Sequence, residues 1–222
     1  MAVPLAAAVL ASVRIVLIRH GETVWNIEGR VQGSEDSPLT EKGLLQASAT
    51  GRRLARMAEL HPTIFSSPLP RAYRTAELIG AELFGGARIQ SDQRLSERSF
   101  GIFEGRCWPD IQTQYAEELA RSQSDPSYAV PGGESRQQVL ERALECLHDI
   151  AATTDAKVVA VVTHSGLMSC VLKHVLGLRQ DQPRTFAVPN LGFTELEFNA
   201  RDECKLRTLG DVSHLENACP AH

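Results

Sequence analysis

Two histidines in this chain each follow a buried-looking apolar run and precede small residues. The first run, Ile15-Val16-Leu17-Ile18, ends in Arg19-His20-Gly21. The second, Lys157 to Val162 (KVVAVV), ends in Thr163-His164-Ser165-Gly166. An arginine beside a histidine offers an anion a fixed positive charge and a polar ring, and a neutral imidazole also carries a nucleophilic lone pair. One histidine at a strand end is ordinary packing; two units of the same design are hard to explain that way. Arg71 supplies a second guanidinium. Glu97, flanked by Arg94 and Arg98, reads either as a salt-bridge partner or as a carboxyl group poised beside a basic pocket. Together, His20, His164, Arg19 and Arg71, with Asn26 and the N–H groups of Ser165 and Gly166, fit a phosphate dianion. Two guanidiniums suit its equatorial oxygens. One imidazole suits attack on phosphorus, and the other suits donation to the developing charge.

Those residues need elements that bring them to one edge. A short, β-branched, non-alternating run suits a strand buried on both faces of a parallel sheet. Open α/β sheets bind ligands beyond the carboxyl ends of such strands. Glu22, Thr23 and Asn26 add polar groups within one turn of His20, and Thr23 and Asn26, with Ser165, Gly166 and Arg98, are the expected substrate contacts. Residues 27–43 (IEGRVQGSEDSPLTEKG) read as a loop, with Thr40 as the N-cap of a helix carrying apolar residues from Leu44 to Leu60. Arg52, Arg53 and Arg56 read as its solvated face, and Pro62 as its stop. Thr63 to Ser66 predicts a second strand. Pro70 opens the next helix and places Arg71 in its first turn, where the helix dipole already favours an anion. Arg74 is set against Glu77 on the surface.

Ala87 to Ser91 predicts a small third strand, followed by the loop that carries Glu97. One helix is expected from Asp110 to Arg121 in the polar stretch 106–130, a candidate lid. PGGES then opens a helix over Glu134 to Ala151. The helix after His164 is expected to take Ser165 as its N-cap. Thr194, Leu196 and Phe198 alternate with Glu195 and Glu197, as in a strand near an edge, with Lys205 to Leu209 as its hairpin partner. Val212 to His222 reads as an unstructured tail, with His214 and His222 outside the chemistry. The alternation predicts an α/β fold: a three-layer α/β/α sandwich with a mostly parallel central sheet and one antiparallel edge strand. The expected division is an extension over 1–13, one domain over 14–210 and a tail over 211–222.

Composition narrows the functional classes. The 222 residues carry a net charge of −4, with 43% hydrophobic and 23% charged residues. This is a globular composition, and the negative balance argues against general binding to nucleic acid or to an anionic membrane. The five cysteines, Cys107, Cys146, Cys170, Cys204 and Cys219, form no CxxC pair, so no zinc or thioredoxin-like motif is present. Residues 1–13 (MAVPLAAAVLASV) are apolar but lack a basic start and are too short to span a bilayer. The expected compartment is the cytoplasm. Rival phosphatase chemistries lack their motifs: there is no Cys-x₅-Arg loop, no DxD and no Walker P-loop. Gly210-Asp211 with His214 has no companions for a two-metal site.

The motifs together resemble the histidine phosphatase (phosphoglycerate mutase-like) superfamily. The resemblance rests on Leu17-Ile18-Arg19-His20-Gly21-Glu22-Thr23, Asn26, Arg30, Gln32-Gly33, Pro38-Leu39-Thr40 and Gly43. It continues through Ser67, Arg71-Ala72, Thr75-Ala76, Glu97-Arg98, Gly133-Glu134-Ser135 and Thr163-His164-Ser165-Gly166. Ser165 departs from the glycine that many members carry there. The resemblance implies that His20 is the nucleophile and forms a phosphohistidine. It implies that Glu97 protonates the leaving oxygen and then activates water, a role typically worth about 10²–10⁴-fold. Arg19, Arg71, Asn26 and His164 would hold the phosphoryl group, and Gln32 and Gly33 match substrate-contacting positions. No metal and no cofactor is implied.

Within the family, mutases carry a longer segment after the Glu97 region, with an adjacent arginine pair for a second anionic group. Here the span from Glu97 to Pro131 is short and holds no Arg-Arg pair, leaving only Arg98, Arg106 or Arg121 as a clamp. The first loop (QGSEDSPLT) also resembles the phosphatase branch. The expected activity is therefore a metal-independent phosphomonoesterase acting on a small phosphorylated metabolite. A phosphoglycerate mutase is the nearer alternative, and a non-catalytic phospho-ligand-binding regulatory module is the alternative of another class. A homodimer through an edge strand is compatible with the pattern but is carried by no motif.

Overall fold

The first strand, β1 (Val13–Arg19), is buried on both faces because its apolar residues serve two cores. Ile15 and Leu17 face one cluster, and Val16 and Ile18 face the other. In chain order there follow α1 (Val24–Glu28), α2 (Glu41–Leu54), β2 (Leu60–Ser66), α3 (Pro70–Ala81) and β3 (Arg88–Ser91). Then come α4 (Trp108–Gln114), α5 (Ala116–Ser124), α6 (Arg136–Thr153), β4 (Val158–Thr163), α7 (Ser165–Val175), β5 (Phe193–Phe198) and β6 (Cys204–Asp211). The structure is a computed structural model and describes residues 12–199 and 203–216. Among these residues no helix is long and apolar enough to cross a membrane.

The six strands form one sheet in the order β3-β2-β4-β1-β5-β6. β3, β2, β4 and β1 are parallel, and β5 and β6 complete the edge as an antiparallel hairpin on β1. The expected α/β/α sandwich, mostly parallel with an antiparallel edge, is the observed fold. Ala47, Leu54, Ala72 and Ile79 of α2 and α3 cover one face. Val139, Leu147, Leu167 and Val171 of α6 and α7 cover the other. The chain leaving β1 therefore crosses one face, and the chain leaving its neighbour β4 crosses the opposite face. That divergence opens a crevice at the carboxyl ends of β1 and β4, where open α/β sheets bind ligands.

Register puts the two histidines at the same level. Arg19 pairs with Thr163, so His20 and His164 are the next residues out of adjacent strands. The His20 N–H still donates to the Thr163 carbonyl at 2.9 Å, so the first histidine remains tied to the ladder.

Several local expectations change. The helix begun at Thr40 ends at Leu54, not Leu60, and the chain turns through a positive φ of 63° at Glu59. β2 then starts at Leu60 and runs through Pro62, at a register shift between Leu60 and Ile64 where the missing N–H is tolerated. The single helix expected over Asp110–Arg121 is two, broken at Tyr115 (φ −135°, ψ 38°). Tyr115 packs edge-on against Phe103 with the Arg106 guanidinium 4.9 Å from its ring centre, so tertiary packing overrides helix continuity there. Val31, Phe103, Ile111 and Val130 give this segment a small core of its own.

The helix expected from Glu134 begins at Arg136, capped reciprocally by Ser135 and Gln138. The tail expected from Val212 starts as structure: Ser213–Leu215 form one 3₁₀ turn. Arg53, expected on a solvated face, holds this turn through Asp211 (2.6 Å) and Ser213 (2.7 Å). His214 meets Thr50 at 3.1 Å. Residues 1–11 and 217–222, including Cys219 and His222, lie outside the described residues, as does most of the expected N-terminal extension.

Candidate active site

The site is built from strand ends, and each side chain is fixed by its local backbone. His20 is buried, and its Nδ1 lies 2.7 Å from the Gly21 carbonyl. A carbonyl only accepts, so Nδ1 carries the proton and Nε2 keeps its lone pair. Burial, then the neighbouring Arg19 and Arg71 charges, hold the His20 pKa well below its ordinary 6.5. The ring is a neutral nucleophile at neutral pH.

His164 is fully buried, with its ring centre 5.2 Å from that of His20. Its Nε2 is 2.7 Å from Ser67 Oγ. That buried hydroxyl also accepts the Leu69 N–H at 3.2 Å, and among the described residues its own proton has no acceptor other than His164 Nε2, so the hydroxyl donates to the ring. By this network Nδ1 carries the ring proton, and it has no partner. Burial, followed by Arg71, His20 and Arg19, keeps His164 neutral as well.

Arg19 donates from Nη1 to the Val188 carbonyl at 2.9 Å, while its buried Nε is unpartnered. Desolvation pushes its pKa down to about 10, with Arg184 and Arg71 adding to the shift and Glu97 opposing it. Arg71 stands in the first turn of α3, behind Pro70, as expected. Its Nη1 donates to the Glu35 carbonyl (2.6 Å) and Asp36 Oδ1 (3.1 Å), and Nη2 donates to the Gly33 carbonyl (2.7 Å). Its Nε is again buried and free. The loop carrying Gly33 thus orients Arg71 from behind. Gly33 is at φ +58°, and a Cβ there would fall 2.0 Å from Glu104, so the loop requires glycine.

Glu97 makes no ion pair with its flanking arginines. Arg94 turns to Asp92 and Asp149. Glu97 Oε1 accepts the N–H groups of Arg98 (2.8 Å) and Leu167 (3.1 Å), and Oε2 accepts that of Gly166 (3.0 Å). The N-terminus of α7 therefore holds a carboxyl group of the protein itself. Gly166, expected to offer its N–H to a ligand, positions Glu97 instead. Ser165 is the first residue of that helix and His164 its N-cap, correcting the expected Ser165 cap.

Arg19, His20, Asn26, Gln32, Gly33, Arg71, Glu97 and Ser165 all line one cavity of about 230 Å³. Asn26 Oδ1 accepts from the Thr23 N–H and from Asn190 Nδ2, both at 3.2 Å, so its amide N–H groups are left for the cavity. Two expected ligand contacts lie elsewhere. Thr23 is fully buried as the N-cap of α1, and its Oγ1 accepts from Gln32 Nε2 at 2.9 Å; it positions rather than binds. Arg98 is drawn away to the Glu134 carbonyl (2.8 Å) and Ser122 (3.2 Å) and lines a neighbouring cavity.

The structure adds residues that spacing did not point to. Trp25, Phe100 and Trp108 rim the cavity, and Trp108 is 47% exposed. Asn190, just before β5, donates to the His20 carbonyl at 2.8 Å and orients Asn26. Nothing in the local sequence of Asn190 marks it, because its role comes from β5 lying beside β1.

A family model described as the histidine phosphatase superfamily (branch 1) matches residues 15–212. The probable phosphoglycerate mutase GpmB of Salmonella paratyphi C is 32% identical over 91% of this chain and 95% of its own length. Among solved structures, Bacillus stearothermophilus YhfR superposes with a TM-score of 0.81 at 32% identity, covering 92% of this chain and 100% of that one. The mycobacterial glucosyl-3-phosphoglycerate phosphatase gives 0.76 at 27% identity, covering 90% and 99%. With the match spanning nearly every described element, the chain belongs to the histidine phosphatase superfamily.

Proposed function

We propose that this chain is a phosphomonoesterase that hydrolyses a small phosphorylated metabolite through a phosphohistidine on His20, without a metal. One observation carries the reading. Three buried donors, Arg19 Nε, Arg71 Nε and His164 Nδ1, have no protein partner; Arg19 and Arg71 line the cavity with His20, whose Nε2 is free, and the His164 ring lies 5.2 Å from that of His20. Leaving a buried polar group unpaired typically costs about 1–3 kcal/mol. A phosphoryl group satisfies all three donors and presents phosphorus to His20.

In this mechanism the Asn26 amide and the three donors hold the equatorial oxygens. His20 Nε2 forms a bond to phosphorus as the ester P–O bond breaks. Glu97 delivers a proton to the departing oxygen and becomes a carboxylate. It then takes a proton from water, whose oxygen attacks the phosphohistidine and releases inorganic phosphate and free His20. Hydrolysis is favoured over transfer by the phosphatase among the similar solved structures and by the lack of an adjacent arginine pair in the short 98–130 span. Arg106 stacks on Tyr115 and Arg121 on Tyr128, with Arg121 4.2 Å from the ring centre. None of Arg98, Arg106 and Arg121 lines the cavity around His20. A second reading, transfer of the phosphoryl group between hydroxyls of one molecule, is favoured by the name of the Salmonella relative.

The test is phosphate release from a panel of phosphomonoesters in EDTA, with His20→Ala beside the wild type. EDTA-resistant release, lost in the variant, is the expected result. Interconversion of 2- and 3-phosphoglycerate without phosphate release selects the second reading. Inactivity in both assays overturns the enzyme reading.

A further inference from the structure

A second cavity, of about 530 Å³, opens beside the first and shares Phe100, Trp108 and Ser165 with it. Its remaining wall comes from the start of α6, from α7 and from residues 181–184. Four cationic side chains, Arg98, Arg136, Lys173 and Arg184, line it against a single carboxylate, Asp181. Asp181 is itself engaged by Arg179. Among the described residues, no ion pair includes any of the four cations.

Two of these cations are held by backbone carbonyls and not by an ion pair, although Asp181 acts on both at a distance. Lys173 is 4% exposed, and its ammonium donates only to the carbonyls of Gln180 (3.1 Å) and Gln182. Arg136 donates from Nη2 to the Ser122 and Gln123 carbonyls, and its buried Nε has no partner. Cys170, the one thiol in the wall, has its pKa pushed up by burial to about 11, so it adds no negative charge at neutral pH. Arg184 is exposed and, among the described residues, makes no hydrogen bond or ion pair. Its charge lowers the pKa of Lys173 in the same cavity and of Arg19 in the first. Like charges gathered in a partly desolvated cleft are stabilised by an anion that bonds to them.

We propose that the second cavity is a subsite for a second anionic group, a carboxylate or a phosphate, carried on the leaving portion of the substrate and bound by Arg136, Lys173 and Arg184. The proposal rests on the phosphoester reading above and narrows it. The substrate class is a phosphomonoester whose organic spacer passes Phe100 and Trp108 to a terminal anion. The sequence offered Arg98, Arg106 and Arg121 as the clamp. The topology instead assembles one from α6, α7 and the segment after α7.

The test is isothermal titration calorimetry on His20→Ala, so that binding is read without turnover. The probes are ω-carboxyalkyl phosphates of graded length, α,ω-alkanediol bisphosphates of the same lengths, and alkyl phosphates with a neutral end. At the matching length, one dianionic series is expected to bind about tenfold or more tightly than the neutral one. Whether the carboxylate or the bisphosphate wins identifies the anion. Adding Arg136→Gln or Arg184→Gln is expected to bring that ratio towards one, and Arg184, being exposed, is replaceable without disturbing the core. Equal affinities at every length overturn the subsite, as does a preference that both substitutions leave intact. A preference that persists while the wild type releases no phosphate keeps the subsite and sinks the hydrolase reading instead.

Discussion

The carboxyl ends of β1 and β4 are built alike and do different things. Each is a strand buried on both faces, each presents a histidine at the same level of the sheet, and each is followed by a small residue. At β1 the imidazole Nδ1 is tied to the backbone carbonyl of Gly21, which leaves Nε2 as a lone pair. At β4 the ring is tied through Nε2 to Ser67, which leaves an N–H. One strand end therefore offers a nucleophile and the other a donor. The helix after β4 adds a second difference, because its first N–H groups hold Glu97. The same local motif thus acquires its role from what packs against it.

The largest expected effect comes from removing the lone pair. His20→Ala should lower kcat/KM for phosphate release by on the order of 10⁴-fold or more, with rapid-quench experiments detecting no phosphoenzyme. Glu97→Gln should cost about 10²–10⁴-fold. The loss should be greatest for esters with poor leaving groups, and p-nitrophenyl phosphate should show a burst followed by slow turnover. His164→Asn removes a donor rather than the nucleophile, and should cost on the order of 10²-fold in kcat. If His164→Asn proved as damaging as His20→Ala and also abolished the phosphoenzyme, the division of roles would fail.

Gly166→Ala probes the helix end. A Cβ at that position would sit 2.4 Å from Glu97 Oε1 and push the carboxylate aside. About a tenfold loss is expected, smaller than for Glu97→Gln because the acid is displaced rather than removed. A Gly166→Ala enzyme with unchanged kcat would show that the helix end does not set Glu97.

The two histidines should also make stability depend on pH. Both are held neutral, well below the ordinary 6.5, by burial and by the neighbouring arginines. As pH falls below 6.5 the unfolded chain takes up protons that the folded site refuses, so stability drops, by up to about 1.4 kcal/mol per pH unit for each histidine. Melting temperatures measured from pH 7 downward should fall, and His164→Asn should flatten the slope. The same neutrality predicts that the acid limb of kcat/KM for hydrolysis lies below pH 6.5. An acid limb above that value would mean that His20 is not the group titrating.

The strand ends were legible because burial on both faces writes itself as an unbroken apolar run, and such a run must stop where a polar group is delivered. Arg71 was legible because Pro70 marks a helix start. Thr23, Arg98 and Gly166 were misplaced for one reason: spacing puts a residue at the site's edge but does not say which way its side chain bonds. Thr23 turns inward to cap α1, Arg98 turns to Ser122, and the Gly166 N–H meets the side chain of Glu97. The break at Tyr115 was hidden for a related reason, since it follows from a ring contact with Phe103 and not from a helix-stopping residue.

By itself the sequence determined the order of the strands and of the larger helices that pack on the sheet, the two histidines, the two guanidiniums and the candidate acid, because these depend on residue type and on local periodicity. The tertiary structure decided which imidazole nitrogen is free, that Glu97 rests on the α7 N-terminus, and that Asn190 orients Asn26. It also decided that four cations meet beside the cavity that holds His20. Each of these joins residues from strands and helices far apart in the chain. The pairing of β1 with β4 and β5, and the crossing of their connections on opposite faces, brings them within bonding distance.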